Sequence, residues 1–506
     1  MDRFDIKEAG KHGLFAVVVG VISAFASIVL CLMVEGSYAL FSAATWLVWL
    51  LPVFGVVSLL LYRWWHLRLD LTTHRVIQDM RKDKAISPFL APGILLGTCL
   101  SMLGGGSVGK EAGALQIGAS LGTLAARPFK LRSVYRRNAD ESMNGYAAAT
   151  GMAATFSALF FAPLGSCMFV LELTRFRKTI NRHVVTILVA CFVAWGIASI
   201  FGIGDVIDKI AVPAPAWTVV GQCVVIGVAA ALVGTLFDSG IHWVHDLTWR
   251  ISRNYLVWVI VGGVLFAGLV TLCGWDRFTG SGGNILGDAL RGQFGPWDFA
   301  VKALLTLVCL GFWFKGGEIM PSFCIGGLLG ASCSFLTGGD PAFGAAVGVM
   351  GFFAAFSRCP LAAFLMGCEI FGWLCAPYLA IAIFVAYMFG SPVGMYGDGV
   401  DRLIRTRWGR RLWKTMRARM RDEEASDAPA LGMVVTAEDA LRATKGALKD
   451  PSTAMPPEGS ETTQPAPDDG ADSQGRLGLK AVSDHENSQV MSAAATKPSS
   501  GEARMH

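Results

Sequence analysis

The chain is predicted to be an all-α polytopic membrane protein whose halves are inverted copies of each other, with helices that break part-way across the bilayer. Three observations carry this. Residues of the AVILMFWYC set make up 53% of the 506, and charged residues only 16%, against about 25% in a soluble domain; mean hydropathy is +0.50. Apolar runs follow one another from His12 to Val400, whereas the stretch after Asp422 is polar and rich in Ala, Ser, Pro, Asp and Glu. A set of short motifs recurs in the same order about 200 residues apart. Lipid is therefore the surrounding partner. A secreted enzyme, a nucleic-acid-binding module and a filament are excluded.

A helix needs about 20 apolar residues to cross the hydrocarbon. Runs of that kind are predicted at 12–34, 39–62, 183–203, 216–238, 255–274, 299–315 and 376–393. Shorter pieces, broken by Gly, Pro or a carboxylate, lie at 88–103, 111–126, 143–161, 163–174, 321–337, 342–357 and 360–372. Irregular backbone at membrane depth is tolerated only inside protein or beside a watery cavity, so the broken pieces are where function is sought. The first run lacks the short core and small-residue cleavage site of a signal peptide.

Lys and Arg gather at 63–84, 127–137, 175–182 and 402–421. The positive-inside rule puts these loops and both termini in the cytoplasm, and the plasma membrane is the expected location. The expected organisation is a membrane domain over 1–405, with halves at about 12–205 and 216–400. A basic amphipathic cytoplasmic segment follows at 406–424, then a disordered tail at 425–506. The 402–421 stretch reads as flanking charge or as an interfacial helix on anionic lipid. The tail has too few large apolar residues to fold alone.

The internal repeat is direct. Gly151-Met-Ala-Ala-Thr-Phe-Ser157 recurs as Gly351-Phe-Phe-Ala-Ala-Phe-Ser357. Pro163-Leu164 with Glu172 recurs as Pro360-Leu361 with Glu369, at the same spacing. Gly109-Lys110-Glu111 followed by Ile117-Gly118 and Gly122 recurs as Gly317-Glu318 followed by Ile325-Gly326 and Gly330. The flanks give orientation. The first copies are followed by five basic residues in 127–137 and four in 175–182, whereas 331–357 and 359–400 contain none. The copies therefore face opposite sides, and a ligand site is expected where they meet.

A helix start carries about half a positive charge and unpaired N–H groups. Several starts meeting at the midplane make an anion site without a buried cation. Gly104–Gly113 opens one such helix, Gly316–Pro321 another with Pro suited to the first turn, and Asp70–Arg75 precedes a third. Glu111 is the most informative residue. A carboxylate among Gly and Ala at membrane depth is expensive; at a helix start it is itself an anion in the anion site, able to occupy it, leave it or take a proton. Glu318 has two readings of equal weight, the same role or capping its own helix. Glu172 and Glu369 read as structural hydrogen-bond acceptors. Lys110 either pairs with a carboxylate or reaches toward the interface.

At these residues the chain resembles the CLC family of chloride channels and proton-coupled anion antiporters. Gly109-Lys110-Glu111-Ala112-Gly113 is similar to the family signature that holds its gating glutamate. Gly316-Gly317-Glu318-Ile319-Met320-Pro321 is similar to its G-G-x-F-x-P element, and Gly394-Met395-Tyr396 to the segment with the pore tyrosine. The resemblance covers about residues 12–405. It implies a homodimer with one pore per subunit and 18 mostly tilted helices. It also implies Glu111 and Glu318 as gating and proton-carrying residues. Gly109, Lys110, Ala112, Ile319, Met320 and the hydroxyls of Tyr396 and Thr73 are implied to bind the anion. Thr73 stands where the family has a serine motif, here Thr72-Thr73-His74-Arg75-Val76. Gly-Gly-Glu with a following Pro resembles the bacterial fluoride/proton branch, in which the second glutamate assists proton movement. Glu172-Leu173 replaces the Glu-Glu of members with an inner proton glutamate.

The expected function is transport of small monovalent anions, chloride first and fluoride second, as a channel or a proton-coupled antiporter. The ligands are the anion and the proton, and no resident cofactor is expected. A cation-coupled solute symporter on inverted repeats is the alternative; it requires acidic groups facing a cation in more than one span. An enzyme is not expected, because the apolar region shows no paired nucleophile and base. The twelve cysteines form no CxxC pair and read as core packing. His242, His245 and Asp246 read as an interfacial polar patch rather than a metal site.

Overall fold

A computed structural model describes residues 6–133, 142–202 and 210–398. The segments expected at 406–424 and 425–506 lie outside them. Seventeen α-helices are described, and they fall into two sets of eight in the same order, with one four-residue helix extra. The first set is α1 (Ile6–Ala43), α2 (Leu51–Trp64), α3 (Thr73–Arg81), α4 (Leu90–Leu103), α5 (Glu111–Phe129), α6 (Asn144–Phe160), α7 (Pro163–Leu173) and, after the extra α8 (Lys178–Asn181), α9 (Val184–Phe201). The second is α10 (Trp217–Ile251), α11 (Tyr255–Cys273), α12 (Gly283–Leu290), α13 (Asp298–Gly311), α14 (Ile319–Leu336), α15 (Pro341–Ser357), α16 (Pro360–Phe371) and α17 (Ala376–Phe389). Each set runs long helix, span, short helix, then broken helices. A two-residue antiparallel hairpin pairs Val393–Gly394 with Gly397–Asp398.

Six segments are long and apolar enough to cross a membrane: α1, Thr45–Trp64, α9, α10, α11 and α14. Two expectations are corrected here. The runs at 299–315 and 376–393 yield helices of only 14 residues each, α13 and α17. Their apolar character continues through turns. Phe312, Trp313 and Phe314 leave α13, with Trp313 at φ +70°, and Gly390-Ser391-Pro392 ends α17. Conversely, 321–337 is part of the 18-residue α14, whose apolar surface is largely covered by protein.

The repeated glycines have a packing reason. A Cβ on Gly118 or on Gly151 would run into the carbonyl oxygen of the other, so α5 and α6 touch backbone to backbone. Gly326 with Gly348, and Gly330 with Gly344, do the same for α14 and α15. In lipid there is little hydrophobic drive between helices, and such close contact of small residues is what holds them. These two pairs form the centre of each half and fix where α5 and α14 begin.

Basic side chains on α13 and α3 serve backbone. Lys302 on α13 donates to the carbonyls of Phe278 and Gly280, at 3.0 and 2.7 Å, which secures the turn into α12. Arg81 on α3 donates to Leu173 O at 2.7 Å and Tyr396 O at 3.1 Å. With His74 Nδ1 3.0 Å from Met395 O, it ties the segment carrying Tyr396 to α3.

Candidate anion site

The starts of α5 and α14 are joined by backbone. Gly109 N donates to Gly317 O at 2.6 Å and Gly317 N to Gly109 O at 2.7 Å, an isolated antiparallel rung between the two repeats. Each glycine precedes its helix by two residues, so the rung sets the two N-termini side by side.

The amides that open each helix follow from its first helical bond. The first helical bond of α5 runs from Ala114 N to Lys110 O, and that of α14 from Ser322 N to Glu318 O. The amides of Glu111, Ala112 and Gly113 precede the first, and those of Ile319 and Met320 the second; Pro321 has none. Met320 N donates to Glu111 Oε2 at 3.2 Å. A carboxylate from one repeat thus sits on a helix-start amide of the other, a position whose donors suit an anion.

All nine residues singled out for the site are buried: Thr73, Gly109, Lys110, Glu111, Ala112, Glu318, Ile319, Met320 and Tyr396. They are not one cluster. Glu111, Ile319 and Met320 meet at the joined helix starts, with Gly109 in the rung and a Cβ on Gly317 reaching Ala112 N. Glu318 is the residue before α14, and its carboxylate lies beside the Tyr396 hydroxyl. Glu318 Oε1 and Tyr396 Oη are buried, and neither makes a hydrogen bond of normal geometry among the described residues. Lys110 points elsewhere: its Nζ is 2.8 Å from Glu35 Oε1 on α1. Of its two readings, carboxylate pairing is the one realised, and its side chain is turned from the anion seat.

Thr73 is the first residue of α3, and its Oγ1 accepts from Gln116 Nε2 at 3.0 Å. With one lone pair occupied, its O–H proton is left to donate outward. Thr73, Gln116, Glu318, Lys315, His245 and Trp313 line one recess. Lys315 is its only Lys or Arg; the ammonium donates to Leu69 O at 2.5 Å and lies 4.7 Å above the Tyr62 ring. Gln116 and Lys315 escaped the sequence reading. Gln116 is five residues beyond Glu111 on α5, about 140° round the helix, so spacing from Glu111 gives no signal for it. Lys315 directly precedes the second glycine motif.

Glu172 and Glu369 are structural acceptors. Glu172 takes the amides of Leu361 and Ala362 at 3.2 and 2.7 Å, and Glu369 those of Leu164 and Gly165 at 3.0 and 2.8 Å. Among the described residues, no group of three or more His, Cys, Asp or Glu could hold a metal ion.

A side-chain anion resting on the amides of the opposite inverted repeat defines a membrane protein of the transporter class that handles small anions. Residues 54–391 match the family model described as voltage gated chloride channel, and the chain belongs to that family, the CLC anion transporters that its motifs resemble. A chloride/fluoride channel protein of Pseudomonas syringae pv. tomato is 31% identical over 365 residues, 69% of this chain and 78% of that one. An H(+)/Cl(-) exchange transporter of Salmonella paratyphi B is 29% identical over 249 residues, 46% of this chain and half of the relative. Among solved structures, a CLC-type fluoride/proton antiporter superposes with a TM-score of 0.72 at 25% identity, over 78% of this chain and 98% of that one. A slow cyanobacterial Cl-/H+ antiporter, at 20% identity and a TM-score of 0.65 over 77% and 96%, shares the fold. The symporter alternative finds no support among these relatives.

Proposed function

We propose that this protein exchanges a small halide, chloride or fluoride, for protons, with Glu111 as gate and proton carrier. The observation that carries this reading is the Glu111 carboxylate on the Met320 amide. A negative carboxylate there competes with the anion for the same donors. On taking a proton it loses that advantage, leaves, and the halide takes its place; the two ligands are then linked through one side chain. Glu318, three residues beyond Lys315 and beside the Tyr396 hydroxyl, is the second proton station. Thr73 and Tyr396 supply hydroxyl donors, and the amides of Ala112, Ile319 and Met320 the dipolar ones. Likeness to a fluoride/proton antiporter and to a chloride/fluoride channel protein supports both halides as candidates.

The same reading includes a homodimer in the bacterial plasma membrane, with both termini in the cytoplasm, a membrane domain over residues 1–405 and a cytoplasmic tail. Positive loops at 63–84, 127–137 and 175–182 support the orientation.

The test is flux from liposomes loaded with chloride or with fluoride, with a pH-sensitive dye reporting protons. The wild type is expected to move protons against the halide gradient. Glu111→Gln, which cannot take up or release a proton, is expected to bring proton movement to background while halide still flows. Proton movement at the wild-type rate in that variant removes Glu111 from the role, and the preferred halide is the one with the faster coupled flux.

A further inference from the structure

Asp238 lies in α10, the long span that opens the second repeat, and its side chain is buried. Both carboxylate oxygens are buried and accept no hydrogen bond among the described residues. This sets it apart from Glu111, Glu172 and Glu369, each of which accepts backbone N–H groups. A carboxylate so placed does nothing for stability, and inside a span it marks function by default.

Its ion-pair partner among the described residues is a turn away. His242 Nδ1 is 2.9 Å from the Asp238 carbonyl oxygen and 3.6 Å from Asp238 Oδ1, while the His242 side chain is 44% exposed. The ring thus lies between a buried acid and its own exposed edge, with Nδ1 facing Asp238. Ile241 and His245, on the same helix face, line the recess that also holds Glu318, Thr73 and Gln116. Other charged or titratable groups bear on this face. From α3 come His74, Arg75 and Arg81; from α10 itself His245; from the turn before α14 Lys315. His74 and His245 are each held to a carbonyl, Met395 O at 3.0 Å and Leu310 O at 3.0 Å, which leaves His242 as the exposed ring.

We propose that Asp238 and His242 form a proton-loading pair that feeds Glu318 from the side carrying the basic loops. A proton arriving at His242 Nε2 makes the ring doubly protonated. The ring then passes its Nδ1 proton to Asp238 Oδ1, which leaves a neutral imidazole and a neutral carboxylic acid. The pair is neutral in both loaded stages, as carboxylate with imidazolium and as acid with imidazole; once the proton leaves Asp238 the pair is a carboxylate beside a neutral ring protonated at Nε2, which resets by releasing that proton and taking one at Nδ1. From Asp238 the path runs along the α10 face that carries Ile241 and His245, which line the recess, to Glu318 on the same lining. His242 is a proton shuttle in this scheme, and Asp238 the buried acceptor.

This rests on the proton-coupled reading above, and the experiment separates the two. Full-length Asp238→Asn, Asp238→Glu and His242→Phe are reconstituted beside the wild type, and proton and halide fluxes are read in the same vesicles. Asp238→Asn is expected to lower the proton-to-halide ratio at least tenfold, Asp238→Glu to restore most of it, and His242→Phe to lower it severalfold. A merely structural role would depress both fluxes together and leave the ratio alone. A wild-type ratio in Asp238→Asn overturns the proposal while coupling stands. A wild type without proton flux overturns the coupled reading, and this one with it. Should Asp238→Asn fail to assemble, a wild-type ratio in His242→Phe, altered on a half-exposed ring, overturns the loading pair.

Discussion

Glu172 and Glu369 exchange helix ends. Each lies in the last turn of its own helix, α7 or α16, and each accepts two amides from the first turn of the other's. Every carboxylate therefore neutralises the positive end of the opposite repeat, in a medium with no water to do so. Replacing either by Ala leaves two helix-start amides without partners, at about 1–3 kcal/mol each. Glu172→Ala and Glu369→Ala are expected to lower the unfolding midpoint in detergent by similar amounts, followed by tryptophan fluorescence. The Gln variants, whose carbonyl oxygen still accepts, lose less. Unchanged midpoints in both Ala variants would contradict the capping role.

The Gly109–Gly317 rung tolerates no side chain. A Cβ on Gly317 lands 2.8 Å from Ala112 N, and one on Gly109 runs into the Glu111 carboxylate. Overpacking of this kind costs about 1–3 kcal/mol, and here the strain falls on the anion seat. Gly109→Ala and Gly317→Ala are expected to insert normally yet lose most halide flux, roughly tenfold or more by the same figure. Wild-type flux in both would show that the spacing of the two helix starts does not matter.

Thr73 presents its proton because Gln116 occupies its lone pair. Thr73→Val keeps the shape and removes the donor. A hydrogen bond to a charged ligand is worth about 1.5–3 kcal/mol, so the half-saturating halide concentration is expected to rise by roughly 10- to 150-fold. Thr73→Ser is expected to stay near the wild type, and Gln116→Leu to fall between. A half-saturation unchanged in Thr73→Val removes this hydroxyl from the anion's coordination.

Much of the architecture was legible, because the features that build it are local. Glycine pairs at fixed spacing, a Gly-Gly turn before Glu or Ile, and basic loops after one copy only are all visible along the chain. They led to the helix starts that the rung joins and to Glu111. Span lengths were less legible. Hydropathy counts Phe312, Trp313 and Phe314 as helix, whereas the chain turns there to bring Gly316 and Gly317 back to the centre. Asp238 was missed for a related reason: it closes the apolar run at 216–238 and so reads as the edge of the membrane. Only the packed structure shows it buried. The Lys110–Glu35 and Thr73–Gln116 pairs join elements distant in sequence, and no periodicity signals them.

The Gly109–Gly317 rung also constrains how this protein can move. Swinging one half against the other, as a hinge or a rocker does, would pull that rung apart where lipid and protein offer nothing to replace its two bonds. The less costly motion is a single side chain turning about its own bonds on a still frame. On the proposed reading, access to the two faces of the membrane is switched by a piece the size of a glutamate, with the scaffold around it as a fixed housing.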